Sequence, residues 1–435
     1  MKKGKVLLSV TVAGAALLAL AACSSGSSAS GSNGKVTIDI FNIKTETAKQ
    51  MQSLITDYEK THSNVKINLT TVGGGQDAGA ALKAKFASGD QPDIFMLGGL
   101  SDAKTYQRYL ADQTNTDLSK KALPGTLDGA TLDGKVLGEP VLIEGHGWMI
   151  NKSIFEKAGI NPDNIKSFAD FKSAVETLNA KKTQLGLQGV FAYSGDQADT
   201  WVSSQMSGDF ISADFNNSLT NTFTSKTLNF SDASNQAMKN YIDLVAKYNA
   251  EPFQSLSYAT SVQELFATDK AAIIYQGNWI VPTLNGMDPN FAKNDLGILP
   301  SYGNGNNSGK YVDGPSWYWG VNKTKGSANE KASEAFLDWM YTDKDAMNQI
   351  VNDFDYIPAY SNFSASQISD PVSKTLFQAL NNNKYIPWVS NAYPDGWGQN
   401  IMGVQLQKYV AGQVSWNSFV TGIEQQWKQT RSISN

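Results

Sequence analysis

Six of the chain's ten tryptophans, Trp201, Trp279, Trp317, Trp319, Trp388 and Trp397, stand beside glycine, proline, asparagine or aspartate rather than inside periodic apolar runs. Two share a theme. Asp313 precedes Gly-Pro-Ser-Trp317, and Asp395 precedes Gly-Trp397. Each pairs a carboxylate acceptor with an aromatic face, although Asp-Gly is also an ordinary turn signal. Trp388 and Trp397 share the aromatic, turn-rich stretch Ile386-Pro-Trp-Val-Ser-Asn-Ala-Tyr-Pro-Asp-Gly-Trp. His146 lies between Gly145 and Gly147, where something can approach closely or a structural histidine can be held. Trp148 alternates in a strand beside Met149 and Ile150 and reads equally as core or site. Trp339, Trp416 and Trp427 fall on helical stripes and read as core. The chemistry on offer is noncovalent: stacking faces and uncharged hydrogen bonders suit a neutral polar ligand better than a phosphate.

The scarce residues exclude other chemistry. Two histidines, His62 and His146, and one cysteine, Cys23, provide no zinc cluster, so no metal or cofactor is expected. A Cys–His nucleophilic pair would have to use Cys23. Of 435 residues, 41% are apolar and 17% charged, well below the ~25% charged of an average soluble chain. The net charge is -4, and no basic block follows the first five residues, which disfavours nucleic acid.

The N-terminus reads as export and anchoring. Lys2, Lys3 and Lys5 precede an uncharged, apolar stretch from Val6 to Ala22 that ends Leu20-Ala21-Ala22-Cys23. This resembles the lipobox of bacterial lipoproteins, which implies a signal at 1–22 and lipidation of Cys23. Residues 23–34 are mostly Ser, Gly and Ala and form a flexible tether. Removing the signal deletes three lysines and takes the charge from -4 to -7. The Ser/Gly tether favours the outer membrane face of a Gram-positive cell.

Behind the candidate residues runs an α/β pattern. Val36, Ile38 and Ile40 alternate as a strand; Met51, Leu54, Ile55 and Tyr58 make a helical face; Val65, Ile67 and Leu69 alternate again. Ala81–Ala87 reads as a helix ended by Gly89, and Pro92–Leu97 as a buried strand. Ser167, Thr260 and Ser327 begin expected capping boxes. Such a pattern predicts a largely parallel sheet with ligands at the loops beyond strand ends.

Five segments in order resemble the solute-binding proteins of ABC sugar importers, the group that includes maltose-binding protein. They are Ala87-Ser-Gly-Asp-Gln-Pro-Asp-Ile94, Pro140–Ile160, Ala271–Trp279, Gly314–Met340 and Ile357-Pro358. The resemblance implies a periplasmic-binding-protein-like fold: two α/β lobes joined by crossing hinge strands, with the ligand in the cleft. By analogy lobe 1 holds 35–143 plus 297–341 and lobe 2 holds 144–296 plus 342–435. The crossings then fall near Ile143–Gly145, Asp295–Gly297 and Tyr341–Asp343. It also implies a carbohydrate ligand, with an oligosaccharide favoured by the number of rings. The expected ligand-binding set is Glu144 at the crossing, His146, Trp201, Trp279 in the loop where the family places a stacking aromatic, Asp313, Trp317, Trp388, Asp395 and Trp397. The implied partners are permease subunits of an ABC transporter and, through the lipid alone, the membrane; the implied state is a monomer without enzymatic activity. An extracellular glycoside hydrolase with two carboxylates, and a receptor for another neutral solute, remain as alternatives.

Overall fold

The structure, a computed structural model, describes residues 35–73, 77–303 and 305–433. The expected signal, Cys23 and the tether lie outside the described residues.

The first strand, β1 (Val36–Asn42), buries Ile38 and Ile40. Helix α1 (Ala48–Thr61) buries Met51, Leu54, Ile55 and Tyr58, the face its periodicity requires. Strand β2 (Val65–Thr71) lies parallel to β1, from Val36 opposite Val65 to Asn42 opposite Thr71. Helix α2 (Ala78–Ser88) is capped by Asp77, whose carboxylate accepts the Ala80 N–H at 2.8 Å. It ends at Gly89, whose φ of 85° a side chain would strain. Strand β3 (Ile94–Leu97) runs parallel to β1 on its other side.

Two long strands then carry the sheet across the molecule. Strand β4 (Glu139–Asn151) has 13 residues, all buried. At ~3.3 Å per residue it spans about 43 Å. The others are β5 (Gly189–Phe191), β6 (Ala271–Gly277), β7 (Leu296–Leu299), β8 (Tyr311–Val321) and β9 (Tyr385–Ile386). The order is β2-β1-β3-β8-β4-β6-β5, with β7 on β4 and β9 on β8. Strand β8 runs antiparallel to β4, from Val312 opposite His146 to Trp319 opposite Glu139, with irregular register around Trp317.

Packing changes along β4. Val141 and Leu142 join a core with Ile38, Leu54, Tyr58 and Trp319. Six residues on, Trp148 joins a second core with Phe171, Tyr241, Ile273 and Trp427, drawn from the helices α3 (Phe168–Ala180), α5 (Asp232–Tyr248) and α9 (Trp416–Ile433) as well as β6. Helix α4 (Thr200–Ile211) adds Val202 and Met206 to it. Met149 faces the other way, with Ile274, Leu296 and Leu376, because successive strand residues point to opposite faces. The two cores are termed the first and second lobes, and β4 runs from one to the other.

Two further segments join these cores. Strand β7 pairs with the second half of β4, Leu296 opposite Asn151 and Leu299 opposite Trp148. Leu296, Ile298, Leu299 and Tyr302 therefore pack in the second lobe, not lobe 1. Strand β8 carries the chain back along β4. Helices α6 (Ser327–Thr342) and α7 (Lys344–Asn352) both pack on the first core, as do Phe354, Tyr356 and Tyr360. Helix α8 (Pro371–Asn381) then places Leu376 in the second lobe.

Of the three expected capping boxes, one forms a cap. Ser167 accepts the Asp170 N–H at 3.2 Å, while Asp170 returns to Lys166 N–H. Ser327 lies inside the first turn behind Gly326, with no side-chain cap. Thr260 begins a wider π-type turn, and its N–H goes back to Ser257.

Candidate functional site

The loop after β1 lies beyond the carboxyl end of a parallel strand, where α/β sheets bind ligands. It carries Lys44, whose Nζ donates to Glu144 Oε1 at 2.6 Å and lies 3.5 Å from Glu46 Oε1. Lys44 and Glu144 are both buried. The Ser316 hydroxyl donates to Glu144 Oε2, a reach made possible by the irregular register of β8 beside Trp317. The Glu144 carbonyl accepts the Trp388 Nε1–H at 2.9 Å. A buried ion pair persists only with such additional hydrogen bonds. Burial pushes the Lys44 ammonium down, but Glu144 and Glu46 together hold it above its ordinary value. Burial raises the Glu46 carboxyl, opposed by Lys44.

Four predicted rings meet beside this cluster. Trp388 lies 4.8 Å from His146 and 6.1 Å from Trp279 between centroids. Trp279 is also 6.1 Å from His146 and from Trp201. Trp279 Nε1–H donates to Gln276 Oε1 at 2.8 Å, and Trp201 Nε1–H to Asp199 Oδ1 at 3.0 Å. The Trp279 ring lies so close to Gly277 that a Cβ there would stand 2.2 Å from a ring carbon. Only glycine permits that ring position. Trp201 sits in the first turn of α4 rather than in a loop.

Two crevices separate the lobes here. One, of about 190 Å³, is lined by Glu46, Glu144, Asn278, Trp279, Pro282 and Tyr356 among others. The second, of about 200 Å³, includes Gly99, Leu100, Tyr318, Leu219, Trp388 and Asn391. Neither holds enclosed room for a sugar-sized ligand. Polar bonds span the lobes at their rims. Asn391 Nδ2 donates to the Ser316 carbonyl at 2.8 Å, Ser101 to the Tyr393 carbonyl at 2.6 Å, and Asn285 to Asp355 at 2.8 Å.

His146 is buried and neutral, because burial lowers its imidazole to about 3. Its Nδ1 is 2.7 Å from the Tyr275 hydroxyl. Among the described residues its Nε2 has no hydrogen-bond partner. Asp313 is fully buried one residue beyond the register of His146. Its Oδ1 accepts the adjacent Gly314 N–H at 2.8 Å, and burial pushes its carboxyl well up. It lies against Gly145 and is separated from the aromatic group by the alternation of the strand: a Cβ on Gly145 would meet both Asp313 Oδ1 and Leu376.

Other expectations are corrected by packing. Trp397 is fully buried in the second core against Tyr393 and Trp427, and its Nε1–H goes to the Ile423 carbonyl at 3.0 Å. It is a core residue, not a platform. Trp319 and Trp148 are likewise core. Asp395 is exposed and reaches Lys83 of the first lobe at 2.7 Å, away from Trp397. Trp317 is half-buried, its ring 3.5 Å from the place a Gly98 Cβ would occupy. The paired Asp-Gly-(x)-Trp theme thus divides between the strand β8 and the second core.

Sequence reasoning missed Lys44, Glu46, Asn278 and Tyr356. The usable signal was position: Lys44 and Glu46 directly follow a β1 strand that was legible. Among the described residues, no group of three or more His, Cys, Asp or Glu is placed to hold a metal ion. No described helix is long and apolar enough to cross a membrane.

Comparison with known proteins places these features. The chain is 24% identical over 356 residues to the multiple sugar-binding protein of Streptococcus mutans, covering 79% of this chain and 80% of that protein. It is 29% identical over 247 residues to an uncharacterized ABC transporter extracellular-binding protein of Pyrococcus horikoshii. That match spans about half of either chain, 56% of this one and 55% of the other. Its fold is similar to that of a chitin oligosaccharide binding protein, with TM-score 0.77 and 20% identity over 92% of this chain and 99% of that one. It is also similar to RafE in complex with raffinose, with TM-score 0.74 and 19% identity over 91% of this chain and all of that one. The model of the family described as bacterial extracellular solute-binding protein matches residues 44–347. Spanning most of both lobes, that match shows that the chain belongs to this family of binding proteins rather than enzymes.

Proposed function

We propose that this protein captures a carbohydrate, an oligosaccharide, and delivers it to the permease of an ABC importer by lobe closure. The observation that carries the reading is the convergence of Trp201, Trp279 and Trp388 beside His146 and the Glu144–Lys44–Ser316 cluster, between the two lobes. Aromatic faces match the C–H faces of sugar rings, and the polar groups match hydroxyls. The names of the streptococcal relative and of the two similar structures, all sugar binders, support it.

The mechanism is a population shift. A sugar touching both lobes binds the closed form better than the open one, and only that difference drives closure. The permease then reads the closed surface. Lipidation at Cys23 holds the protein, as a monomer, on the outer face of the membrane, and the 23–34 tether gives it reach. Isothermal titration against raffinose, stachyose, chitin oligosaccharides and a set of non-sugar neutral solutes tests the ligand class. The expected outcome is binding of at least one oligosaccharide, weakened in Trp279→Ala; binding only by a non-sugar solute overturns it. Cys23→Ser should release the protein from cells to the medium, and its retention at the membrane would refute the anchor.

A further inference from the structure

Behind the aromatic group, β6 and α4 bring a chain of buried polar atoms against the one unpartnered nitrogen of His146. The Tyr275 hydroxyl donates to Asp209 Oδ1 at 2.8 Å and lies 2.7 Å from His146 Nδ1. The Ser301 hydroxyl donates to Asp209 Oδ2 and accepts the Trp148 Nε1–H at 3.1 Å. Asp209, Tyr275, His146 and Ser301 are all buried. A phenol has one proton to give. When it goes to an ionised Asp209, His146 must donate from Nδ1, which leaves Nε2 as a bare acceptor. When Asp209 is protonated and donates to Tyr275, the phenol proton turns to Nδ1, and His146 carries its proton on Nε2. The rings against His146 besides Tyr275 are Trp279 and Trp388, which line the two crevices.

We propose that Asp209 and Tyr275 are positioning residues that set the hydrogen-bonding polarity of His146 Nε2, an acceptor for a ligand hydroxyl when Asp209 is ionised and a donor when it is protonated. The change takes up one proton. It arrives at Nε2, Nδ1 passes its own to the Tyr275 oxygen, and Tyr275 passes its own to Asp209 Oδ1. No bond between heavy atoms is altered. Burial lifts the Asp209 carboxyl to about 7 against its bonds from Ser301 and Tyr275, which brings the crossover near neutral pH. The titratable groups facing Asp209 are Tyr275 on β6, Tyr193 after β5, Tyr241 on α5, Tyr393 before Trp397 and His146 on β4. The four phenols are all raised by burial and stay protonated, and none of the five groups is a cation at neutral pH. The ligand role rests on the proposed cleft reading; the proton arrangement does not.

The chain has two histidines, so labelling only histidine with ¹⁵N gives two ring systems, and His62→Gln assigns them. In the full chain, His146 should hold its proton on Nδ1 at about pH 8.5 and on Nε2 at about pH 5.5. Asp209→Asn should abolish the inversion, and Tyr275→Phe should uncouple it from Asp209. One tautomer at both pH values, or an inversion that survives Asp209→Asn, overturns the proposal. Raffinose, added at the higher pH as a hydroxyl-rich probe, should move the Nε2 resonance of His146 and leave His62 unmoved. Raffinose binding by calorimetry without that movement overturns the acceptor role while the cleft reading stands. Inversion in a protein that binds no glycan of the panel supports the relay and refutes the cleft reading.

Discussion

Lys44 Nζ stands 2.6 Å from Glu144 Oε1, joining the loop after the first strand to the strand that passes between the lobes. One hundred residues separate them in sequence. Both are buried, so the pair is a structural commitment as well as a polar wall of the crevice. Removing one partner strands the other charge. Lys44→Met or Glu144→Leu should each cost about 3–5 kcal/mol in urea unfolding, while the double variant Lys44→Met/Glu144→Leu should cost far less than the sum. Additive losses would refute the coupling.

The tryptophans separate by role. Trp279→Ala and Trp388→Ala should weaken oligosaccharide binding about 10- to 100-fold by calorimetry, as loss of a buried aromatic anchor does. Trp397→Ala should instead destabilise the second lobe by about 3–5 kcal/mol in thermal or urea unfolding. At a temperature where it remains folded, its affinity should stay close to wild type. A large loss of affinity in folded Trp397→Ala would return that residue to the site.

Lys83 on α2 and Asp395 of the second lobe form an ion pair at 2.7 Å across the rim. Both side chains are about half exposed, so water and salt screen the pair. Lys83→Ala should change unfolding stability by no more than about 1 kcal/mol. Because the pair spans two lobes, it should weaken ligand affinity by up to about fivefold at low salt, with the difference vanishing near 1 M salt. An effect independent of salt would argue against an electrostatic latch.

The buried carboxylate at Asp209 gives stability a definite pH dependence. Its ordinary value is 3.8 and burial raises it to about 7, so between those values the folded protein binds more protons than the unfolded chain. Stability therefore falls as pH rises through that window. His146 acts in the opposite sense, because burial lowers it from 6.5 to about 3 and the unfolded chain binds the extra proton. Asp209→Asn removes only the first contribution. Relative to wild type, it should gain stability progressively as pH rises from about 4 to about 7, measured by unfolding at matched salt. A constant difference across that range would exclude a raised Asp209.

What the sequence determined by itself is local. Alternation set β1 and β2, a 3.6-residue stripe set α1, and Gly89 stopped α2, because these depend on neighbours a few positions away. The family segments carried the two-lobe fold for the same reason: each is a short strand entry, turn or helix face. Trp279 was singled out because it ends the segment Ala271–Trp279, whose resemblance to the family implies a stacking aromatic in that loop. Tertiary structure decided the rest. Trp397 and Trp388 share one turn-rich stretch, yet one is fully buried against Trp427 while the other bonds the Glu144 carbonyl, and only packing with α9 and β4 separates them. Lys44 acquired its role from a strand one hundred residues away. The pairing of β7 with β4 and the packing of α7 on the first core are long-range contacts that sequence spacing does not encode. The polarity of His146 depends on Asp209 and Tyr275, brought to one buried point by three different elements, because a proton's place is set by contacts in space.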